Sequence, residues 1–167
     1  MKARTVTRFA LLLSLALLLG YIESLLPIAP TLPGVKLGLG NFVLLYAVWY
    51  LGAKQTVLLM VLKVTLCALL FSGVFGGLYG LAGGILSVLG MLLLHRISKA
   101  SVIAISAVGG VLHNVGQTLV ACVLISPAAA VGYLPFLLLS GLLAGVLLGI
   151  LAKVSFPLAE RIEGGAR

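Results

Sequence analysis

The chain has 167 residues, 62% of them hydrophobic and only 8% charged, with a mean hydropathy of +1.31, whereas a soluble domain carries about 25% charged residues. That composition excludes a water-facing surface and makes lipid the solvent. The net charge of +8, from eleven basic and three acidic residues, would suggest nucleic acid in a soluble protein. Here the basic residues stand singly or in small groups at the ends of apolar runs, with no basic stripe interleaved with aromatics. Nucleic acid is therefore excluded, and the charges read as topology signals and lipid headgroup contacts.

A helical span needs roughly 20 apolar residues, and about six fit the chain as one all-α membrane domain. The first is expected at 8–26; its basic start, MKARTVTRF, resembles a signal peptide but lacks a small-x-small cleavage site, so it reads as an uncleaved helix. Ala10 and Ser14, then Ala16 and Gly20, lie four apart, a spacing that admits a close helix neighbour. Pro27, Pro30 and Pro33 end this helix and stiffen a linker that turns at Pro33-Gly34.

The second span is expected at 36–51, with Trp49 and Tyr50 at its interfacial end. The third, at 56–71, carries Lys63 in its middle, and Ser72-Gly73 begins a short turn. The fourth, at 74–94, places Gly76, Gly80 and Gly84 at four-residue steps, a face expected to pack directly on another backbone. The fifth, at 101–125, holds His113, Asn114 and Gln117; Ser126-Pro127 then opens a loop. The sixth, at 135–151, repeats the glycine spacing at Gly141, Gly145 and Gly149, and 153–167 forms a wet tail.

Charge orients this layout. With the amino terminus inside, one face of the membrane collects Lys2, Arg4, Arg8, Lys54, Arg96, Lys99, Lys153, Arg161 and Arg167, the other only Lys36. The positive-inside rule then gives six spans with both termini cytoplasmic, in a multi-pass protein of the cell membrane.

Glu23, Lys36 and Asn41 fall near the outer surface, Lys63 and His113 near the midplane, and Asn114 and Gln117 one step further out. Ionisable groups at such depth face the bundle interior and have partners. Lys63 reads either as a structural lysine, satisfied by helix-end carbonyls or Glu23, or as a contact for an anionic or carbonyl-bearing ligand. Lipid-facing snorkelling is the third reading. Glu23 either orients Lys36 or Lys63 or meets ligand. His113, Asn114 and Gln117 share a helix face and suit an interhelical hydrogen-bond set as well as a ligand.

Cys67 and Cys122 read as small buried hydrophobes. No metal-ligand set is expected, and no cofactor. The chain has no aspartate, so it offers no aspartate-rich cluster for a magnesium diphosphate, and no glycine loop with the lysine and hydroxyl that ATP hydrolysis needs. Transport without its own ATPase fits better than catalysis.

The phrases GYIESLLPIAPTLPGVKLGLGN (20–41), FSGVFGGLYGLAGG (71–84) and HNVGQ (113–117) resemble the Gx transporter family, also labelled heptaprenyl diphosphate synthase component I. That family is similar to the substrate-binding S components of energy-coupling factor transporters. The resemblance implies a six-helix bundle that takes a small molecule from the outer side and docks on a transmembrane coupling protein with two cytoplasmic ATPases. It also implies that the linker after the first span caps the pocket. The small-residue face at Ala10 and Ser14 would meet the coupling protein, with a serine where the family pattern has alanine. The synthase label implies instead a noncatalytic partner of an isoprenoid synthase. A self-contained secondary transporter is the third alternative.

Overall fold

The computed structural model describes residues 3–25 and 38–164, with side chains for 5–25, 38–127 and 130–159. Its elements are α1 (Ala3–Leu25), α2 (Leu39–Tyr50), α3 (Ala53–Cys67), a π-helical turn (Ala68–Ser72), α4 (Gly73–Ile97), α5 (Val102–Leu124) and α6 (Pro127–Gly164). Among the described residues every element is helical. The proline-bearing linker with Lys36, and the ends of both termini, lie outside them.

Residues Ala53–Ile97 form one helical, apolar stretch of 45 residues, but the chain reverses within it. Gly73, at φ 69 and ψ 177, adopts a conformation open essentially to glycine alone. From this point α3 and α4 run back along one another. A Cβ on Gly77 would lie 2.8 Å from Ala68, one on Gly80 3.3 Å from Val64, and one on Gly84 2.9 Å from the Met60 sulfur. The expected turn at Ser72-Gly73 thus joins an antiparallel hairpin.

The sixth helix differs more from expectation. It starts at Pro127 instead of 135, passes through Pro135 and Pro157, and continues into the expected tail. Proline suits the first helical position, where its missing N–H is not needed; the Ser126 carbonyl accepts from Ala130 N at 3.0 Å. Interior prolines forfeit one bond each, a loss that neighbouring helices make tolerable in a membrane bundle.

α5 starts on Ser101, whose Oγ accepts from Ala104 N at 3.2 Å as an N-cap. α5 and α6 then pack backbone to backbone. Cβ atoms on Gly141 and Gly145 would lie 2.6 Å from the carbonyls of Gly110 and Ser106, and one on Gly149 2.6 Å from Ile103 Cα. Such proximity favours Cα–H···O contacts along the interface. The α4 row is different: Gly76, Gly80 and Gly84 face the side chains of Ser72, Val64 and Met60. The backbone approach expected of them falls one face round, where Gly83 meets the His113 carbonyl, because the row at 76, 80 and 84 turns toward α3.

α2 is the shortest α-helix among the described residues and the core of the bundle. Its sequence LGNFVLLYAVWY is apolar all round but for Asn41, and Val43, Leu44, Leu45, Ala47 and Val48 are all buried. Phe156 of α6 locks onto it, with ring centroids 5.3 Å from Tyr46, 5.6 Å from Tyr50 and 6.0 Å from Phe42. The outer faces of the other helices expose Leu, Ile, Val and Phe throughout, as in Leu11, Leu69, Phe75, Val123 and Val154. A belt of that kind on helices long and apolar enough to cross a bilayer makes this a multi-pass membrane protein.

Substituting Gly145 with Ala should force α5 and α6 apart, costing about 1–3 kcal/mol as overpacking does. Gly132→Ala, whose Cβ meets nothing within 4 Å, should be neutral or slightly stabilising. Thermal melts of the two variants in the same detergent check the contrast.

Candidate functional site

Hydrogen bonding and glycine spacing together leave a cavity of about 480 Å³ between the helices, within the roughly 300–1,000 Å³ typical of small-molecule sites. Every helix contributes to its lining. The cavity reaches from Glu23, Ser72 and Ile125, at the end where α1 finishes and α4 and α6 begin, down to Met91 and Ser106. The last turn of α4 and the first turn of α5, at the opposite end, do not line it. That opposite end carries Arg8, Lys54, Arg96, Lys99 and Lys153, none of which lines the cavity.

The polar side chains within the cavity come from four helices. Lys63 extends from α3 to the first turn of α2, where its Nζ donates to Asn41 Oδ1 at 3.1 Å. Gly40 makes this possible, because a Cβ there would lie 2.7 Å from both Cε and Nζ of Lys63. Gly38, in the left-handed region at φ 72, leads into the same turn, and its N–H donates to Glu23 Oε1. Glu23 thereby joins the end of α1 to the start of α2, and its negative charge sits where the helix dipole is positive.

α5 supplies the second group. Asn114 Nδ2 donates to the Leu137 carbonyl and, at 3.4 Å, to Ser140 Oγ of α6. This amide is spent on holding α5 to α6 beside Gly141. Gln117 pairs with His113 through their Nε2 atoms at 3.1 Å, one helical turn apart. Its Oε1 is buried with no hydrogen-bond partner among the described residues, as is the Ser87 hydroxyl. Gln117 is 8% exposed and Ser87 1%, and both line the cavity. Unsatisfied buried polar atoms cost about 1–3 kcal/mol each, so the pair marks the place where the cavity wall offers unused hydrogen bonds.

Glu23, Asn41, Lys63, His113, Asn114 and Gln117 therefore share one cavity wall, while Lys36 lies outside the described residues. Gly76, Gly80, Gly84, Gly141 and Gly145 line the same cavity, and Gly149 does not. The glycine rows thus leave room as well as allowing approach. Ala10 and Ser14 are exposed on the outer face of α1. Ala16, of the second small pair, is fully buried, and Gly20 sits against Cys67. The two pairs face opposite ways.

Sequence reasoning missed Gly40, Ser87, Thr118 and Tyr79, all at or beside this wall. Gly40 was legible as the second glycine of Gly-Leu-Gly just before Asn41. Ser87 carried a weaker signal, a lone hydroxyl inside an apolar run. Thr118 donates to the Asn114 carbonyl at 2.9 Å, and nothing in its spacing distinguishes it from packing. Cys67 and Cys122 are not joined in a disulfide. Among the described residues no three His, Cys, Asp or Glu side chains lie close enough to hold a metal ion.

The different standing of the two amides is measurable. Asn114→Leu should destabilise the bundle by about 0.5–1.5 kcal/mol, the net worth of the α5–α6 hydrogen bond it removes, since the Leu137 carbonyl keeps Ser140 Oγ as a donor. Gln117→Leu should cost less than half as much, because one of its amide atoms is already unspent. Unfolding titrations of both variants in mixed micelles give the comparison.

No curated protein and no solved structure matches the chain. The family model described as heptaprenyl diphosphate synthase component I matches residues 12–155. The match covers most of the helical bundle and all but the ends of the chain. The chain belongs to the heptaprenyl diphosphate synthase component I family, the Gx transporter-like group.

Proposed function

We propose that this protein is the substrate-binding membrane subunit of a transporter, taking a small organic solute from the outer side and relying on a partner for ATP hydrolysis. The observation that carries this reading is the cavity of about 480 Å³, with polar residues on its wall and an apolar belt around the bundle. A chain that only anchored another protein would gain nothing from keeping Gln117 and Ser87 buried and unsatisfied. None of the basic residues at the opposite end lines the cavity, which supports the orientation. Under the positive-inside rule the basic end is cytoplasmic and the end of the cavity at Glu23, Ser72 and Ile125 is the outer one.

In this reading the chain crosses the bacterial cytoplasmic membrane six times, with both termini inside. The α3–α4 hairpin counts as two crossings. α2 counts as one, although its 12 residues cover only about 18 Å at about 1.5 Å per residue of a roughly 30 Å core. The outer face of α1, with Ala10, Leu11, Ser14 and Leu18 exposed, is the surface for a transmembrane coupling protein bearing cytoplasmic ATPases. Lipid covers the other outer faces.

The family description favours a second reading, a noncatalytic membrane subunit for an isoprenoid synthase. That role would use the basic end and leave the cavity without purpose. Ser14→Trp separates the two. It should abolish solute uptake and recovery of the ATPase partners in a pull-down, while the purified variant binds solute as before. Recovery of a prenyl synthase by the unsubstituted chain, with no ATPase subunits, would favour the second reading.

A further inference from the structure

The geometry points to an organic monoanion as the cavity's ligand, with its anionic group against Lys63 at the first turn of α2 and a hydrogen-bonding group of its body against Gln117. This rests on the reading of the cavity as a ligand site and supplies that ligand's chemistry.

The first observation is electrostatic. α2 begins at the cavity wall, and no side chain of its N-cap residue caps it. Such a terminus carries roughly half a positive charge. Lys63 brings its ammonium to the same turn, against Gly40 and Asn41. A cation is disfavoured at the N-terminal end of a helix, and both charges lie among apolar helices where an ionised group is costly. Glu23, bonded to the Gly38 amide, offsets one unit of the two positive poles. Roughly half a positive charge is left over, so this turn favours an anionic group over a neutral or cationic one.

The second observation is independent of charge. Gln117 is nine-tenths buried with Oε1 unsatisfied, Ser87 is almost wholly buried with its hydroxyl unsatisfied, and both line the cavity that holds Lys63. A ligand with a donor on its body restores these bonds. The rest of the wall, including Leu44, Leu45, Val64 and Leu148, calls for an apolar or aromatic frame.

The same inventory argues against a diphosphate ester. Lys63 is the one lysine or arginine among the described lining residues. No acidic cluster is present there to bring a divalent cation to a multiply charged head. Gly40 emerges as a specificity-determining position, because any side chain on it displaces the ammonium.

The test presents the full chain in lipid nanodiscs with aromatic and aliphatic monocarboxylates, the primary amide of each, and geranyl diphosphate. Retained molecules are identified by native mass spectrometry. The unsubstituted protein should retain one or more carboxylates at least about tenfold over their amides, the scale of one charge-assisted hydrogen bond. Lys63→Met and Gly40→Ala should each remove that preference, and Lys63→Arg should keep part of it. Should Lys63→Met not fold, Gly40→Ala carries the test, since it keeps every charge and presses on the ammonium at 2.7 Å more closely than on the Ala16 carbonyl at 3.3 Å. Retention of amides equal to carboxylates, or preference for geranyl diphosphate, overturns the monoanion and leaves a ligand site standing. Retention of nothing overturns the ligand site as well.

Discussion

The placement of the Lys63 ammonium on the first turn of α2 is the constraint around which the bundle is arranged. A lysine in the middle of an apolar helix must find polar company inside the protein or climb to the interface. Here it finds Asn41 across the α2–α3 junction. The meeting requires Gly40 to have no side chain and α2 to begin inside the bundle instead of at its surface. It also brings Glu23 to the Gly38 amide. One basic residue thereby fixes where a helix starts and which residues of α1 face it.

The glycines govern the remaining architecture through two distinct effects. Between α5 and α6 the absence of side chains at Gly141, Gly145 and Gly149 lets backbones touch, which replaces the hydrophobic driving force that lipid cannot supply. Between α3 and α4, Gly80 and Gly84 accept Val64 and Met60 while leaving space on the cavity side. Tight packing on one side and emptiness on the other come from the same residue type at the same spacing. The aromatic clasp of Phe156 on α2 packs the end beyond Met91 and Ser106, where the cavity stops.

Much of this was legible in the sequence, and the limits have physical causes. Low charge and long apolar runs require helices in lipid, and the Ser72-Gly73 turn was visible because a positive φ demands glycine. The polar residues Glu23, Asn41, Lys63, His113, Asn114 and Gln117 were conspicuous for their cost in such surroundings, and one cavity gathers all of them. Periodicity could not assign partners to the glycine rows. The row at 76, 80 and 84 meets side chains, and Gly83 makes the backbone approach, because spacing gives a face but not the neighbour it turns to. The start of α6 was misplaced because proline opens a helix as readily as it breaks one. The same residues could not reveal that Asn114 is committed to α6 while Gln117 keeps an atom unspent, since both are amides on one helix face.

The central claim is that Lys63 and Gln117 face a shared cavity that a solute fills. An experimental density map of the full chain, purified in lipid without added ligand and again after equilibration with the retained monocarboxylate, tests it most directly. The account predicts Lys63 Nζ over Gly40 in both maps and, in the second, new density bridging Lys63 and Gln117. A cavity closed by its own side chains, or Lys63 turned outward to the lipid headgroups, would contradict it.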